Sequence, residues 1–413
     1  MAIAESVANA ANLLKVLYPD GVSIPVYEKS KIIGTMKKDN EFFGVGAKYV
    51  VVSIAPGAGG SASIASAIGN QGATKEVKFT LGRKKLYEVG SIDGELIASG
   101  RTSKGALVDV VKHAMDRART AYSRSEATAV WGTGGGARGV IASGSNLTTS
   151  TITLTNLADA AKFFAGMWIQ VAVDDGSSSA PAGCSVNQAQ ITSITRATAG
   201  VATITISGNW NQFAGIATGW FIFRSGDYSL YPNGVPGWAP SADPISTDSF
   251  LGVNRFTAGD LNYLSGFRYN GSGQAKSQSL IDAGALAHLN GLDVTTVFLN
   301  PLDLRDAFKE QSTYKTIEVS TDSPKVGYQG IQLVTAIGSI TALSETDVPQ
   351  GKFWVLNPNT WTRRSAGDVP MILDNDNVGL FLRSPTDDSY QFRFGGYFNY
   401  ENADPSQAIC GTF

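Results

Sequence analysis

Apolar residues return at two spacings along this chain, and the switch between them divides it. From Ala2 to Leu17, Ile3, Val7, Leu14 and Leu17 recur at helical intervals, which predicts a short amphipathic helix stopped by the YPDG of Tyr18–Gly21. A charged, extended stretch follows, then an apolar strand over Tyr49–Ile54. The next tract, PGAGGSASIASAIGNQG, is too poor in large side chains to bury much. Residues Lys75–Arg101 read KEVKFTLGRKKLYEVGSIDGELIASGR. Here Val77, Phe79 and Leu81 alternate with polar residues, Gly82-Arg83 suits a tight turn, and Asp93-Gly94 is a hairpin signal. The pattern predicts three short strands joined by two tight turns, with too little apolar surface to stand alone.

The clearest helix is TSKGALVDVVKHAMDRARTAYSRSEATAVW. Leu107, Val110, Ala114, Ala118, Ala121 and Tyr122 share one face, and Ser103 can cap its start. The other face sets Lys104, Lys112, Arg117, Arg119 and Arg124 against Asp109, Asp116 and Glu126. GTGGGARG ends the helix. Residues 146–225 then alternate with period two and are rich in Thr, Ser and Ala, which predicts a small antiparallel β unit with ITSITRATAGVATITI as one hairpin. A Pro/Gly/Ser-rich stretch, Pro232–Asp248, reads as a linker. Beyond it the spacing mixes: SQSLIDAGALAHL is helical, and VTTVFLNPLDLRDAFKEQ is a strand followed by a helix, with Asn300 at the N-cap and Pro301 in the first turn. The strand-end pattern returns in KFWVLNPNTW, and YQFRFGGYFNYEN closes the chain as a long strand with one face buried.

Composition narrows the function classes. The 413 residues are 43% hydrophobic, which is ordinary, but only 16% charged, with Gly, Ser, Thr, Asn and Ala filling the difference. A net charge of −2 does not mark the chain as a nucleic-acid or membrane-surface binder. Short basic clusters (Lys37-Lys38, Arg83-Lys84-Lys85, Arg363-Arg364) read as solvated surface. Two cysteines, Cys184 and Cys410, suit free thiols in a reducing compartment. No apolar run approaches the ~18 residues of a membrane span. The first residues lack the basic segment of a signal peptide, so synthesis and use in cytoplasm are expected.

Candidate chemistry is sparse. His113 and His288 lie alone on helices and read as structural. GGGARG matches a dinucleotide fingerprint in letters only, since it follows a helix and precedes strand-like sequence; it reads as a flexible joint. DNDN at Asp374–Asn377 lacks the later calcium ligands and reads as a turn. Asp174-Asp175 and Asp387-Asp388 are adjacent, a poor spacing for acid/base pairs. The aromatic clusters FFAGMWIQV, WFIFRSGDY and FRFGGYFNY have few cations among them and read as packing. No catalytic residue, metal ligand or cofactor site is predicted, and no enzyme.

The order of parts is the informative feature. An arm, a flexible tract with a charged β segment, a long basic helix, a β region, an α/β region with LNP strand ends and a long last strand together resemble the major capsid proteins of tailed bacteriophages, the Hong Kong 97-type fold. The resemblance implies an α+β chain with an N-terminal arm (1–43), an E-loop (44–101), a spine helix opening the P domain (102–145), an inserted or elaborated β-rich unit (146–225), a linker (226–249), an A domain (250–374) and a returning P-domain strand with its tail (375–413). It places intersubunit contacts on E-loop residues Lys75, Lys78, Arg83, Lys84, Lys85, Glu88, Asp93, Glu95 and Arg101. Lys112, Arg117, Arg119 and Arg124 form the basic face of the spine helix. Some members crosslink an E-loop lysine to a neighbour, a role open by analogy to Lys75, Lys78, Lys84 or Lys85; ionic docking is the simpler expectation. The function implied is a shell subunit that assembles into hexamers and pentamers in the host cytoplasm and encloses double-stranded DNA in the virion. Implied partners are other copies of the chain, a separate scaffolding protein, a portal, decoration proteins and the packaged DNA, with no membrane. A tail or adhesin component and an encapsulin-like compartment shell are the alternatives.

Overall fold

The computed structural model describes residues 30–40, 47–55, 57–94, 104–178, 181–196, 200–311, 331–335, 338–373, 381–383 and 387–413, with the side chains of 104–113, 311, 331–335 and 338–339 excepted. The described chain opens with helix α1 (Lys31–Thr35) and strand β1 (Lys37–Asp39). Strands β2 (Ala47–Ala55) and β3 (Lys75–Gly82) pair antiparallel as a two-stranded ribbon, and helix α2 (Ile64–Gly69) lies in the segment joining them. Alternation works as expected here: Val50, Val52, Phe79 and Leu81 are buried on one face of the ribbon, while Tyr49, Val51 and Lys78 stay exposed on the other.

Strand β4 (Lys84–Asp93) begins one residue after β3, yet the two do not pair. The tight hairpin expected at Gly82-Arg83 is therefore absent. The chain leaves the ribbon at Arg83, and β4 joins a different sheet, where its buried Leu86 and Ile92 find a larger apolar surface. The third strand expected beyond Asp93-Gly94, the helix expected over Ala2–Leu17 and the Asp374–Asn377 turn lie outside the described residues.

Helix α3 (Lys104–Val130) spans 27 residues, a rod of roughly 40 Å at ~1.5 Å per residue. Its last turns are buried nearly all round: Tyr122, Ser123, Ser125, Glu126, Ala127, Thr128, Ala129 and Val130 all fall inside. A single apolar stripe does not describe this end, because β4 and the sheet of Ser389–Asn402 pack on it together with the chain that follows. Gly134 and Gly136 follow with positive φ, and a side chain on Gly135 would run into the Asp175 carbonyl. GGGARG is thus a tightly packed corner rather than a flexible joint.

The corner leads into the predicted β unit. Strands β5 (Ala137–Val140), β6 (Thr151–Thr153), β7 (Trp168–Ala172), β8 (Ala189–Arg196), β9 (Ala202–Ile206) and β10 (Phe221–Arg224) form one antiparallel sheet in the order β5-β10-β7-β8-β9-β6. It has its own core, with Phe163, Ile169, Val171, Ile191, Ile204, Trp210 and Phe213 among its members. The β8–β9 hairpin matches expectation. Trp168 does not, since it is 51% exposed on the outer face.

The stretch expected to be a linker is central to the main core. Tyr231, Val235, Trp238 and Ala239 are buried, the last three at or beside helix α4 (Val235–Trp238). Its prolines and glycines shape a turn that inserts Trp238, whose indole N–H donates to the Tyr400 carbonyl at 3.0 Å.

Beyond it, strand β11 (Phe267–Asn270), helix α5 (Lys276–Leu289), strand β12 (Thr296–Leu299) and helix α6 (Pro301–Gln311) are followed by β13 (Ile331–Thr335), β14 (Gly338–Ser344) and β15 (Lys352–Leu356). Then come β16 (Trp361–Ser365), β17 (Met371–Ile372), β18 (Leu382–Arg383), β19 (Ser389–Asn402) and β20 (Ala408–Thr412). A mixed sheet ordered β11-β20-β15-β12-β14-β13 forms an α/β layer, and α5 and α6 supply part of its core. The predicted cap at Asn300 forms: its side-chain oxygen accepts from the Leu302 N–H at 3.0 Å, and its amide donates to Val348 at 2.9 Å. The remaining sheet is built on the long strand β19. It pairs with β4 over ten residues, from Ser389↔Asp93 to Phe398↔Lys84, and also with β16, β17 and β18, while β1 extends the sheet beyond β16. One face of this sheet packs on α3.

Candidate functional site

The expected contact residues fall into three environments. Lys75, Lys78, Arg83, Lys85 and Asp93 are exposed. The Lys78 ammonium lies over the Tyr49 ring at 4.2 Å, an ordinary cation–π contact on the outer face of the ribbon. Lys84 is half-buried and donates to the Ser229 carbonyl at 3.2 Å. Burial holds its ammonium below the usual lysine value. Glu95 and Arg101 lie outside the described residues, as does the Lys112 side chain. On α3, Arg117 and Arg124 are exposed and Arg119 is half-buried.

Glu88 corrects the sequence reading. It points inward, buried, with a two-pronged pair to Arg224 (Nη2 to Oε2 at 2.8 Å) and a hydrogen bond from Ser125 Oγ at 3.1 Å. A surface contact with a neighbour is excluded by these partners within the chain. The Arg224 guanidinium is held above its ordinary value: burial opposes the charge, but the hydrogen bonds and charge of Glu88 outweigh it. Next to this pair, buried Arg138 donates to the Tyr231 hydroxyl at 2.6 Å and pairs with Asp227 at 3.3 Å. Burial pushes the Asp227 carboxyl up, with Arg138 and Arg224 pulling the other way. Together these groups fasten β4, α3 and the six-stranded β unit to one another.

Two further polar seams were not visible as such in the sequence. Glu126, expected on the charged face of α3, is fully buried and pairs with buried Arg363 at 3.1 Å. Burial raises its carboxyl, and Arg363 opposes that rise. Arg364 pairs with Asp39 and Glu401. The Arg363-Arg364 cluster, expected on the surface, therefore joins α3, β1 and the β19 sheet. Glu345 holds the start of the described chain. It accepts from the Ile32 N–H at 2.9 Å, Ser30 Oγ at 3.1 Å and the Trp131 indole at 3.3 Å. Burial raises this carboxyl too, while the same hydrogen bonds pull it down.

The ribbon also carries exposed apolar side chains, as several other surface segments do. Tyr49 and Val51 on its outer face are 56% and 54% exposed. In α2, Ile64 and Ile68, one turn apart on the same side, are 82% and 63% exposed. The inner face is anchored instead, with Phe79 edge-on to Trp238 and Phe250 at ring-centroid distances of 5.2 and 6.3 Å. The geometry is that of a fixed base carrying a sticky outer end.

Among the described residues, no group of three or more His, Cys, Asp or Glu could hold a metal ion. No described helix is long and apolar enough to cross a membrane.

No protein-family model matches the sequence, and no curated protein matches it. Solved structures do. The chain is similar to the cyanophage A-1(L) capsid asymmetric unit at 12% identity and TM-score 0.51, with 92% of each chain covered. Weaker likenesses are to the capsid of a native GTA particle (10% identity, TM-score 0.46, 92% of this chain and 89% of that one) and to Mycobacterium phage Che8 (10%, 0.42, 93% and 91%). At so low an identity, the first likeness is one of fold, and it extends over nearly the whole of both chains: this protein has the Hong Kong 97-type capsid fold that its order of parts resembles.

Proposed function

We propose that the chain is the structural subunit of an icosahedral capsid, assembling with copies of itself into hexamers and pentamers that enclose double-stranded DNA. The observation that carries this reading is the fold shared along 92% of both chains with the cyanophage A-1(L) capsid subunit. Two observations support it: Glu88, Glu126 and Arg363 are spent on internal seams, and Tyr49, Val51, Ile64 and Ile68 are left exposed on the ribbon and α2. In this reading the β2–β3 ribbon, with α2 at its outer end, is the E-loop, and β4 belongs to the P domain. Ile64, Ile68, Tyr49 and Val51 then meet a neighbouring subunit, flanked by Lys75, Lys78, Arg83, Lys85 and Asp93 as ionic contacts, with Glu95 and Arg101 assigned to the same surface. A scaffolding protein, a portal and decoration proteins complete the assembly, and the chain itself performs no catalysis.

Negative-stain electron microscopy of the purified protein tests this. Closed shells or six- and fivefold rings are expected. Tubes or fibres would favour a tail or adhesin component, and compact monomers would sink the shell reading. In shells from infected cells, nuclease-resistant DNA is expected; protein cargo without DNA would point to a compartment instead. An Ile64→Ser/Ile68→Ser double variant should fold with unchanged melting temperature and yield no shells. Shells at wild-type yield would remove the ribbon from the interface.

A further inference from the structure

The six-stranded β unit carries an aromatic side chain that its core does not use. Trp168 in β7 faces outward between buried Met167 and Ile169 and is 51% exposed. Directly opposite it in β8 stands Gln190, whose backbone N–H donates to Ser207 Oγ at 3.1 Å, one residue past β9. The Gln212 amide donates to the Ser207 carbonyl at 3.2 Å, and the Asn187 amide donates to the Gln212 carbonyl at 2.5 Å. An indole, three amides and a hydroxyl thus form one connected row across the ends of β7, β8 and β9. The segments that build it, residues 163–173, 176–195 and 197–223, contain no Asp, Glu, Lys or Arg.

We infer that this row is a binding site for a neutral carbohydrate, with the Trp168 ring as the platform for one sugar unit. The amides are preset as acceptors. Each spends an N–H on a backbone carbonyl: Gln190 on Gly166 at 3.1 Å, Gln212 on Ser207 and Asn187 on Gln212. No described donor reaches the three side-chain oxygens, so each keeps capacity for a hydroxyl. A sugar brings both complements. One face of its ring is a set of C–H groups, which the electron-rich face of an indole attracts, and its rim carries hydroxyl donors. Other occupants fit worse. A phosphate backbone or an acidic peptide needs cations, which the segments of this row lack. An apolar segment, such as Ile64 and Ile68 of a second copy, would cover the ring but bury the amide oxygens without donors, at a cost for each. A singly exposed apolar side chain is ordinary; this one is framed by oriented acceptors on a charge-free surface. The row is complete within one chain, so its ligand does not depend on shell assembly.

Saturation-transfer NMR on the purified full chain tests it, because the method detects weak ligands on free chains and on shells alike. The probes are tetrasaccharides of glucose, of mannose and of N-acetylglucosamine, with a heparin fragment and an uncharged Gly/Ser/Asn peptide as controls. At least one neutral tetrasaccharide should receive magnetisation, most strongly at its ring C–H protons, and equally at low and high salt. Trp168→Ala, with a wild-type melting temperature, should weaken that binding roughly tenfold or more, and Trp168→Phe should restore part of it. Gln190→Leu should weaken it roughly fivefold. No transfer to any neutral tetrasaccharide would overturn the inference, as would transfer untouched by Trp168→Ala. Tighter, salt-sensitive binding of the heparin fragment would overturn it in favour of an anionic ligand. Peptide binding that is lost in Trp168→Ala while the sugars stay silent would overturn it in favour of a protein partner. Self-association lost in Trp168→Ala, with no sugar bound, would make a second copy the occupant.

Discussion

Strands β3 and β4 are neighbours separated only by Arg83, alike in length, charge and alternation, and they live in different environments. β3 has one partner, β2, and an outer face open to solvent. β4 has its ten-residue partner β19 and a face pressed on α3. A charged residue means different things in each. Lys78 on β3 rests on a tyrosine ring at the surface. Glu88 on β4 is buried under an arginine from a separate core. Alternation tells which residues share a face, but not what that face meets.

Three experiments bear on this contrast. The largest effect is expected for Glu88→Ala, which leaves Arg224 and Arg138 facing each other inside. Breaking such a pair should cost about 3 kcal/mol in urea unfolding, the low end for buried pairs because the Arg224 side chain is 24% exposed. Lys78→Ala should stay within about 0.5 kcal/mol; equal losses at both sites would erase the distinction. Glycines give the second comparison. A side chain at Gly90 in β4 would run into the Phe392 ring, whereas one at Gly82, the last residue of β3, meets open space. Gly90→Ala should destabilise by about 1–3 kcal/mol. Gly82→Ala should be neutral or stabilising by up to about 1 kcal/mol. The smallest effect concerns Lys84, at the junction. Burial depresses its value in the folded chain, so between that value and 10.5 the unfolded chain holds the extra proton. Wild-type stability relative to Lys84→Met should therefore rise as pH rises toward 10.5. A flat or falling difference between pH 8 and pH 10 would show that Lys84 is not buried as described.

Much of the fold was legible locally. Asn300-Pro301 and Asn357-Pro358 announce strand ends because their side chains cap the turn that follows, and the β8–β9 hairpin lies within one short stretch of alternating sequence. Partners far along the chain were not legible. Nothing near Leu86 says that β4 will meet Gly396 in β19. Glu126 falls among charged neighbours on a helix, and only Arg363, brought from the far end of the chain, shows why it is inside. Trp238 sits in a Pro/Gly stretch that looks like a tether until its indole is found bonded to Tyr400. The candidate surfaces divide the same way. The basic residues of α3 were visible as a face, but the meeting of one of them, Arg124, with Arg196 and Asp347 is a product of the fold.

The first and last strands of the β5–β10 sheet lie side by side, with Val140 directly opposite Phe221. Everything from residue 141 to 220 therefore leaves and returns through one narrow gate. To the rest of the protein that segment is a cassette: a short turn joining Val140 to Phe221 would close the gap, and a different module could occupy it. Foreign sequence grafted between Val140 and Phe221 would meet the same two fixed ends.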